Sequence, residues 1–406
     1  MRVSRRAERV EPFYVMELAK AATRLAAEGG TGQRPMIYLN IGEPDFTAPP
    51  LVQQAAERAI RDGRSQYTQA LGLPALREAI AGWYATHFGA TVDASRIVVT
   101  AGASAALQLA CLALIDAGDE ILMPDPSYPC NRQFVQAAEG VARMVPCGPG
   151  QRFQLSAGQV RAHWGERTRG VLLASPSNPT GTSIARDELH RIAAAVRERQ
   201  GITLLDEIYL GLSHDAAFGQ TALTLPDGLG DTVISVNSFS KYFNMTGWRL
   251  GWLVLPPALV PAVERLAQHL FICPSAISQH AALACFEPDS LAEYERRRAT
   301  FKARRDYFIP ELNRLGLTVP VMPDGAFYAW AEVGALCERW GIAPPGDTPE
   351  AGGSWPLAFE LMRRCQLAAT PGRDFAQAEA GRYLRFSTAN SMEQLQEAVA
   401  RLEAAW

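Results

Sequence analysis

From Ile97 to Leu255, the chain alternates short apolar runs with longer stretches of helical periodicity. Strands separated by helices at this spacing predict a three-layer α/β domain with a mainly parallel sheet. In such domains, ligand sites collect beyond the carboxyl ends of the strands. We therefore look for functional residues directly after the apolar runs. The predicted strands are IVVT (97–100), EILM (120–123), GVLLAS (170–175), ITLLD (202–206), TVISVNS (232–238) and RLGWLVL (249–255).

Less regular segments flank this block, and they predict a second, smaller α+β domain built from both chain ends. We expect residues 47–288 to form the large domain, and residues 1–46 together with residues 289–406 to form the small one. The predicted elements of the small domain are the helix-like MELAKAATRLAAEGG (16–30), a charged helix (291–312), a strand–turn–strand (319–333), a Pro- and Gly-rich surface loop (337–355), the strand YLRFSTA (383–389) and a terminal helix (392–406).

The composition argues against several classes of function. A formal net charge of −3 and a pI near 6.1 lack the basic balance of a nucleic-acid-binding protein. No apolar leader follows the N-terminal arginines, and no apolar run approaches the ~18 residues of a membrane span. We therefore expect a cytoplasmic protein without membrane contact. Seven scattered cysteines with no C-x-x-C pair predict buried thiols rather than disulfides or a metal site.

Lys241 follows an apolar strand within SFSKYFNMTGWRLG, and its sequence neighbours are unusual for a surface lysine. An isolated loop lysine is an ordinary surface residue, and it becomes a nucleophile only when desolvation or nearby positive charge destabilises its ammonium form. Here Ser238, Ser240 and Arg249 offer donors for a phosphate beside the amine. The segment therefore predicts a pocket for a phosphorylated aldehyde cofactor that reacts with Lys241.

Asp206 ends the apolar run ITLLD, where a buried carboxylate is costly unless it is paired. It is either a helix N-cap or loop aspartate, or the partner of a protonated pyridine nitrogen. In the second case, Asp206 would keep the pyridine nitrogen of a pyridoxal cofactor protonated, so that the ring can accept electrons. Tyr209 follows shortly after and is placed to hydrogen-bond the phenolic oxygen of the same ring.

Three further strand ends carry residues that suit a phosphorylated ring. Ala103 and Ser104 would place backbone amides and a hydroxyl at a helix N-terminus, which favours phosphate. Asn178, in SNPTG, can reach a cofactor oxygen and a substrate carboxylate. Tyr128, in DPSYP, can lie over an aromatic ring. Each of these patterns is also common in ordinary helix starts, turns and loops.

Arg385 lies in YLRFSTA, a predicted strand of the small domain. A guanidinium binds a carboxylate through two parallel hydrogen bonds, and every α-amino acid carries a carboxylate. Arg382 and Arg373 are nearby competitors, and spacing alone does not choose among the three. The sequence thus predicts one substrate arginine in this region.

Together, these motifs resemble the fold-type I pyridoxal-phosphate enzymes, and specifically the class I and II aminotransferases, of which aspartate aminotransferase is typical. The resemblance runs from GEPDF (42–46) to RFSTA (385–389), which is nearly the whole chain. Its most specific parts are SFSKYFNMTGWRLG, SPSNPTG and LLDEIY, which occur in the order and spacing of the family.

The resemblance implies a role for each matching residue. Lys241 would form the Schiff base with pyridoxal 5′-phosphate and then shuttle the proton between the substrate Cα and the cofactor C4′, while Asp206 would pair with the pyridine nitrogen. Tyr67 would reach the phosphate of a neighbouring subunit, which implies a homodimer with shared active sites. Asn178 and Tyr209 would hydrogen-bond the phenolic oxygen of the cofactor ring, and Tyr128 would stack on the ring. The substrate carboxylate would be bound by Arg385, Asn178 and the backbone of Gly42. The residues that would bind the phosphate are Ala103, Ser104, Ser238, Ser240 and Arg249.

The implied reaction is a ping-pong transfer of an amino group from an α-amino acid to a 2-oxo acid, via pyridoxamine phosphate. The same residues also serve a lyase, such as a carbon–sulfur lyase or a decarboxylase-like enzyme, on one scaffold. A non-enzymatic alternative is the effector domain of a transcription regulator, for which the segment before GEPDF leaves no room. Ser104 stands where some acid-specific relatives carry lysine, so aspartate, alanine, aromatic and other neutral amino acids all stay open as substrates.

Overall fold

A computed structural model describes residues 2–12, 14–28, 34–346 and 352–405. Within these ranges, short strands alternate with helices through the middle of the chain, as the apolar pattern predicts. The strands are β1 (Ile37–Tyr38), β2 (Ile97–Thr100), β3 (Glu120–Asp125), β4 (Val141–Pro146), β5 (Thr168–Ala174), β6 (Ile202–Asp206), β7 (Val233–Ser238), β8 (Gly251–Val254), β9 (Tyr328–Glu332), β10 (Leu367–Ala368), β11 (Thr370–Pro371) and β12 (Tyr383–Ser387).

The helices range from single turns to a 27-residue helix that crosses the molecule. Among the described residues, no helix combines the length and apolarity that crossing a membrane requires. The helices are α1 (Arg5–Arg9), α2 (Tyr14–Glu28), α3 (Pro50–Arg61), α4 (Pro74–Phe88), α5 (Ala103–Leu114), α6 (Pro129–Ala137), α7 (Ala157–His163), α8 (Arg186–Glu198), α9 (Val260–Leu270), α10 (Ala276–Ala282), α11 (Pro288–Arg314), α12 (Gly334–Arg339), α13 (Ser354–Cys365) and α14 (Met392–Ala404).

The central sheet of the described chain has seven strands in the order β2-β8-β7-β6-β5-β3-β4. The strands from β7 to β4 in this order pair in parallel, whereas β8 runs antiparallel to both of its neighbours. The expectation of a mainly parallel sheet is confirmed. Because parallel strands carry their carboxyl ends to one edge, the residues that follow β3, β5, β6 and β7 meet at that edge.

Helices cover both faces of this sheet. On β6, Leu204 packs into the core beneath α5 and α9, whereas Leu205 packs into the core beneath α7 and α8. This alternation follows from the pleat of a strand, which points successive side chains to opposite faces. Covered faces on both sides explain why the central strands are apolar along their whole length. The three-layer α/β architecture is thereby confirmed.

Both ends of the chain build a second core. Leu18 of α2 and Leu39 pack there with Phe308 of α11 and Leu395 of α14. β1 pairs in parallel with β10, and β11, β12 and β9 form an antiparallel sheet. The smaller α+β part from both chain ends is confirmed. The exact division at residue 288 stays a prediction, since α11 continues without a break from the first core into the second.

The prediction of a strand–turn–strand over residues 319–333 is wrong in its first half. Only β9 forms there, and before it Thr318 makes a single isolated bridge to Glu332. The physical reason is that Pro320 and Pro323 have no amide hydrogen for a sheet ladder.

The predicted surface loop over residues 337–355 is too long at both ends. Its first residues belong to α12, and its last two begin α13 at Ser354. Residues 347–351 of this segment lie outside the described residues, as do residues 29–30 at the end of the predicted N-terminal helix.

Candidate active site

A cavity of about 450 Å³ opens where the carboxyl ends of the central strands face α2, β9 and β12. It brings together residues that the sequence spreads over more than 340 positions. One predicted residue is not among them: Tyr67 is 80% exposed and lies outside the cavity. The predicted residues that line the cavity are Gly42, Ala103, Ser104, Tyr128, Asn178, Asp206, Tyr209, Ser238, Ser240, Lys241, Arg249 and Arg385.

Lys241 lies in the turn that connects β7 to β8, and its side chain enters the cavity. Its Nζ donates a hydrogen bond to the Gly42 carbonyl oxygen at 2.6 Å. Burial, together with the nearby Arg385 and Arg249 guanidinium groups, lowers the pKa of Lys241 to about 8 against the attraction of Glu43. The site therefore contains an amine with a substantial neutral fraction near pH 8, as a nucleophile or proton acceptor requires.

Asp206 is the last residue of β6 and is 3% exposed. Its Oδ1 accepts a hydrogen bond from the Ile208 amide at 3.2 Å. Burial raises the pKa of Asp206 to about 7, because one backbone donor compensates only part of the lost hydration. A cationic ligand group beside this carboxylate would favour its ionised form.

The start of α5 forms a cradle for an anion. Gly102 precedes the helix with φ of +87°, and the first amides of a helix have no intrahelical acceptor. The Arg249 guanidinium packs directly against Gly102, where a Cβ atom would lie 2.7 Å from its Nη2. Arg249 itself has φ of +52°, so the predicted strand 249–255 begins only at Gly251. The positive helix end and the guanidinium thus face the same small space.

The two serines of the lysine segment differ in their contacts. The Ser238 hydroxyl accepts from the Ser240 amide at 3.0 Å and donates to the Leu250 carbonyl at 3.4 Å. Both serines line the cavity, and the Ser238 hydroxyl also stabilises the turn that carries Lys241.

Arg385, on β12, is 2% exposed and points into the cavity. Its Nη1 donates to Asn178 Oδ1 at 2.9 Å, and its Nη2 donates to the Asn40 carbonyl at 2.6 Å. The guanidinium carbon lies 4.6 Å from the Tyr328 ring centre and 4.7 Å from that of Phe375. These contacts hold the cation rigidly and leave it able to bind a carboxylate.

The two competing arginines lie elsewhere. Arg382 forms ion pairs with Glu332 and Glu379 at the surface, and Arg373 lies over the rings of Tyr14 and Trp355. Neither lines the cavity. The structure thus singles out Arg385 from the three arginines that the spacing left open.

Tyr328 also lines the cavity, and it was not among the residues predicted from the sequence. Its hydroxyl lies 2.7 Å from the Tyr209 hydroxyl, and a Cβ on Gly42 would lie 2.1 Å from its hydroxyl oxygen. The available signal was its position in GAFYAW, as the only hydroxyl-bearing residue of a strand that begins after a turn. Val15 and Met16 of α2 also line the cavity.

The chain is similar over almost its whole length to proteins of one class. Residues 34–402 match the model of the family described as aminotransferase class I and II. The chain is 38% identical to valine–pyruvate aminotransferase of Mycobacterium tuberculosis, over 97% of this chain and 96% of that protein. It is 34% identical to an aspartate aminotransferase of Rhizobium meliloti, over 99% of this chain and 96% of that protein.

A crystal structure of an aminotransferase from Mycobacterium tuberculosis superimposes with a TM-score of 0.90 at 37% identity, covering 100% of this chain and 99% of the other. Thermus thermophilus aspartate aminotransferase with maleate gives a TM-score of 0.88 at 30% identity, with 100% of both chains covered. Fold and cavity therefore define an enzyme that transfers amino groups. The chain belongs to the aminotransferase class I and II family.

Proposed function

We propose that this enzyme uses pyridoxal 5′-phosphate to move an amino group from an α-amino acid to a 2-oxo acid in a ping-pong cycle. One observation carries the proposal: a single cavity collects the Lys241 amine, the Asp206 carboxylate and the Arg385 guanidinium. They come from three separate elements and supply a nucleophile, an acid and an anion-binding group. Amino-group transfer on a pyridoxal cofactor requires all three.

The residues present fit the cofactor. Gly102, the first amides of α5 and Arg249 would hold the phosphate, and the absence of a Cβ at Gly102 lets the Arg249 guanidinium lie against the start of the helix. Asp206 would hold the pyridine nitrogen, because a cation there relieves the cost of its burial. Asn178 and Tyr209 would hold the ring oxygen, and Tyr128 would pack on the ring. When bound, pyridoxal phosphate stabilises negative charge at the substrate Cα and stores the amino group between the half-reactions.

Lys241 would hold the cofactor and would also take the proton from the substrate Cα. It must be neutral for that step. Its burial and the Arg385 and Arg249 charges favour the neutral amine. The Gly42 carbonyl, 2.6 Å from Nζ, keeps the amine inside the cavity.

Arg385 would bind the substrate α-carboxylate. Its present acceptors, Asn178 and Asn40, are neutral groups, so a carboxylate adds charge compensation that the protein does not supply through them. The side chain is already held in place, and little conformational entropy is lost when the carboxylate binds.

We propose a neutral, apolar side chain for the preferred amino acid. Val15, Met16 and Ala19 of α2 form an apolar wall of the cavity together with Ile41. Among the described residues, the cations that line the cavity are the three already proposed for the cofactor and the α-carboxylate. A second carboxylate on the substrate would therefore meet apolar groups and lose its hydration without compensation. The similarity to valine–pyruvate aminotransferase supports the same choice.

We also propose a homodimer in which Tyr67 reaches the cofactor phosphate of the neighbouring subunit. Tyr67 is 80% exposed and lies outside the cavity of its own chain, so its side chain is accessible to a second subunit. Mixing Lys241→Ala with Tyr67→Ala subunits tests this directly. Heterodimers would contain one site with both Lys241 and Tyr67, so activity returns on mixing. Two variants that remain as inactive together as apart would argue against shared sites.

A single-turnover half-reaction tests the main proposal. Holoenzyme mixed with L-valine should release one equivalent of 2-oxo acid per site, with a change in the visible spectrum and without ammonia. L-aspartate should react more slowly. Lys241→Ala should lose the visible band of the lysine-bound cofactor and about 10⁴-fold or more of turnover. Release of ammonia without an acceptor, or of pyruvate, ammonia and sulfide from L-cysteine, would instead indicate a lyase.

A further inference from the structure

A buried carboxylate connects the apolar wall of the cavity to a distant part of the chain. Helix α2 begins at Tyr14, and its first amides have no acceptor within the helix. The Tyr14 amide donates to Asp374 Oδ1 at 3.0 Å, across 360 positions of sequence. A carboxylate at this position also stabilises the positive end of the helix. Val15 and Met16, which follow directly, line the cavity.

Asp374 is itself held firmly. It is 1% exposed, and its backbone carbonyl accepts a hydrogen bond from Arg132 Nη1 at 2.9 Å. Arg132 belongs to α6, is buried, and lies 3.5 Å from Glu11 on the segment that leads into α2. Asp374 is therefore hydrogen-bonded on one side to α6, which packs on the large sheet, and on the other side to the first residue of α2.

The residue after Asp374 contacts the substrate arginine. The Phe375 ring centre lies 4.7 Å from the Arg385 guanidinium carbon, and the Phe375 carbonyl accepts from the Ser127 amide at 2.9 Å. Val15 packs in the same apolar cluster as Phe375. Two consecutive residues thus contact the apolar wall and the carboxylate-binding group of one cavity.

Such a position is costly for an acid. Burial raises the pKa of Asp374 to about 6, against the opposing effects of the Tyr14 amide and the Arg385 guanidinium. A smaller apolar residue would fill this place without the cost of desolvating a carboxylate. We therefore expect the carboxylate to have a function that offsets this cost.

We propose that Asp374 is a positioning residue, whose carboxylate fixes the first turn of α2 so that Val15 and Met16 face the substrate bound at Arg385. The kinetic consequence rests on the proposed transamination, but the position of the helix does not. Asp374 would therefore set the affinity for the amino acid and leave the proton transfer at Lys241 unchanged.

The experiment compares Asp374→Ala and Asp374→Asn in the holoenzyme. Hydrogen exchange of α2 amides should become about fivefold faster in Asp374→Ala, the equilibrium factor of a lost helix cap. KM for L-valine should rise severalfold in this variant while kcat stays within about twofold of the original value. Asp374→Asn keeps an acceptor oxygen, so it should restore most of the α2 protection and of the KM.

Ser391→Ala is the matched control, because Ser391 caps α14 through the Gln394 amide and does not line the cavity. It should speed exchange in α14 and leave KM unchanged. Unchanged α2 exchange in Asp374→Ala would overturn the proposal, and so would a loss confined to kcat. Should the wild-type enzyme fail to transaminate at all, the exchange measurement still decides the role of Asp374 separately from the reaction.

Discussion

The hydroxyl groups of Tyr209 and Tyr328 lie 2.7 Å apart, and both side chains are almost fully buried. Tyr328 also lies with its ring against the Arg385 guanidinium. One tyrosine therefore touches both the residue proposed to hold the cofactor ring oxygen and the residue proposed to hold the substrate carboxylate. This links the two halves of the cavity through a single side chain.

Removing that hydroxyl should alter the cofactor more than the substrate. A hydrogen bond from Tyr328 to Tyr209 strengthens the bond that Tyr209 can donate onward. In Tyr328→Phe, the negative ring oxygen is therefore less well stabilised, and the pH midpoint of the visible holoenzyme spectrum should rise by up to about one unit. KM for the amino acid should change little, because the ring that contacts Arg385 is retained. An unaltered spectral midpoint would contradict this coupling.

Attachment of the cofactor to Lys241 should depend on pH in a predictable way. The neutral amine is the reactive form, and its pKa in the protein is about 8 instead of 10.5. The rate at which cofactor-free enzyme combines with pyridoxal phosphate should thus rise with pH and level off above about 8. Arg385→Ala removes a neighbouring cation and should move the midpoint upward, whereas Glu43→Gln should move it downward. Stopped-flow absorbance measures all three, and a wild-type midpoint near 10 would refute the assignment.

Gly102→Ala should weaken cofactor binding. The new Cβ would meet the Arg249 guanidinium at 2.7 Å, and φ of +87° is unfavourable for alanine by about 1–2 kcal/mol. Gly118→Ala is a matched control, since Gly118 has φ of +88° but nothing within 4 Å of a Cβ. Both variants should lose thermal stability, and only Gly102→Ala should raise the Kd for pyridoxal phosphate in a fluorescence titration. Equal affinities in the two variants would show that the cradle does not bind the phosphate.

Asp206→Asn should separate cofactor attachment from catalysis. The amide is similar in shape, so Lys241 should still react with the cofactor and give a visible band. Without the negative charge, the pyridine nitrogen loses its proton more readily, and the half-reaction with L-valine should slow by about 10²–10⁴-fold. A variant with normal half-reaction rates would rule out a role for Asp206 at the ring nitrogen.

The sequence predicted those parts of the site that follow strands. Lys241, Asp206 and Asn178 each come directly after an apolar run, and the parallel sheet gathers such positions at one edge. For the arginine that binds the substrate carboxylate, the sequence left three candidates. Arg385 differs from the other two because its guanidinium is buried between Tyr328 and Phe375.

The remaining parts depend on contacts that no local pattern encodes. The Tyr14 amide and Asp374 are 360 positions apart, and nothing near either residue indicates the other. β4 was missed because its exposed face gives it a mixed rather than apolar composition. The prediction of a strand at residue 319 was wrong because the prolines in this segment lack the amide hydrogens that a sheet requires, although its pattern is apolar.

The reversed strand β8 has a mechanical consequence for the enzyme. Since the chain leaves the sheet along β7 and returns along β8, the lysine proposed to bind the cofactor covalently and the guanidinium proposed for its phosphate belong to one hairpin-like excursion. Lys241 and Arg249 thus lie between two paired strands that are buried along their whole length. Any displacement of this excursion would move both groups together, whereas the arginine proposed for the substrate carboxylate belongs to a different sheet, on β12.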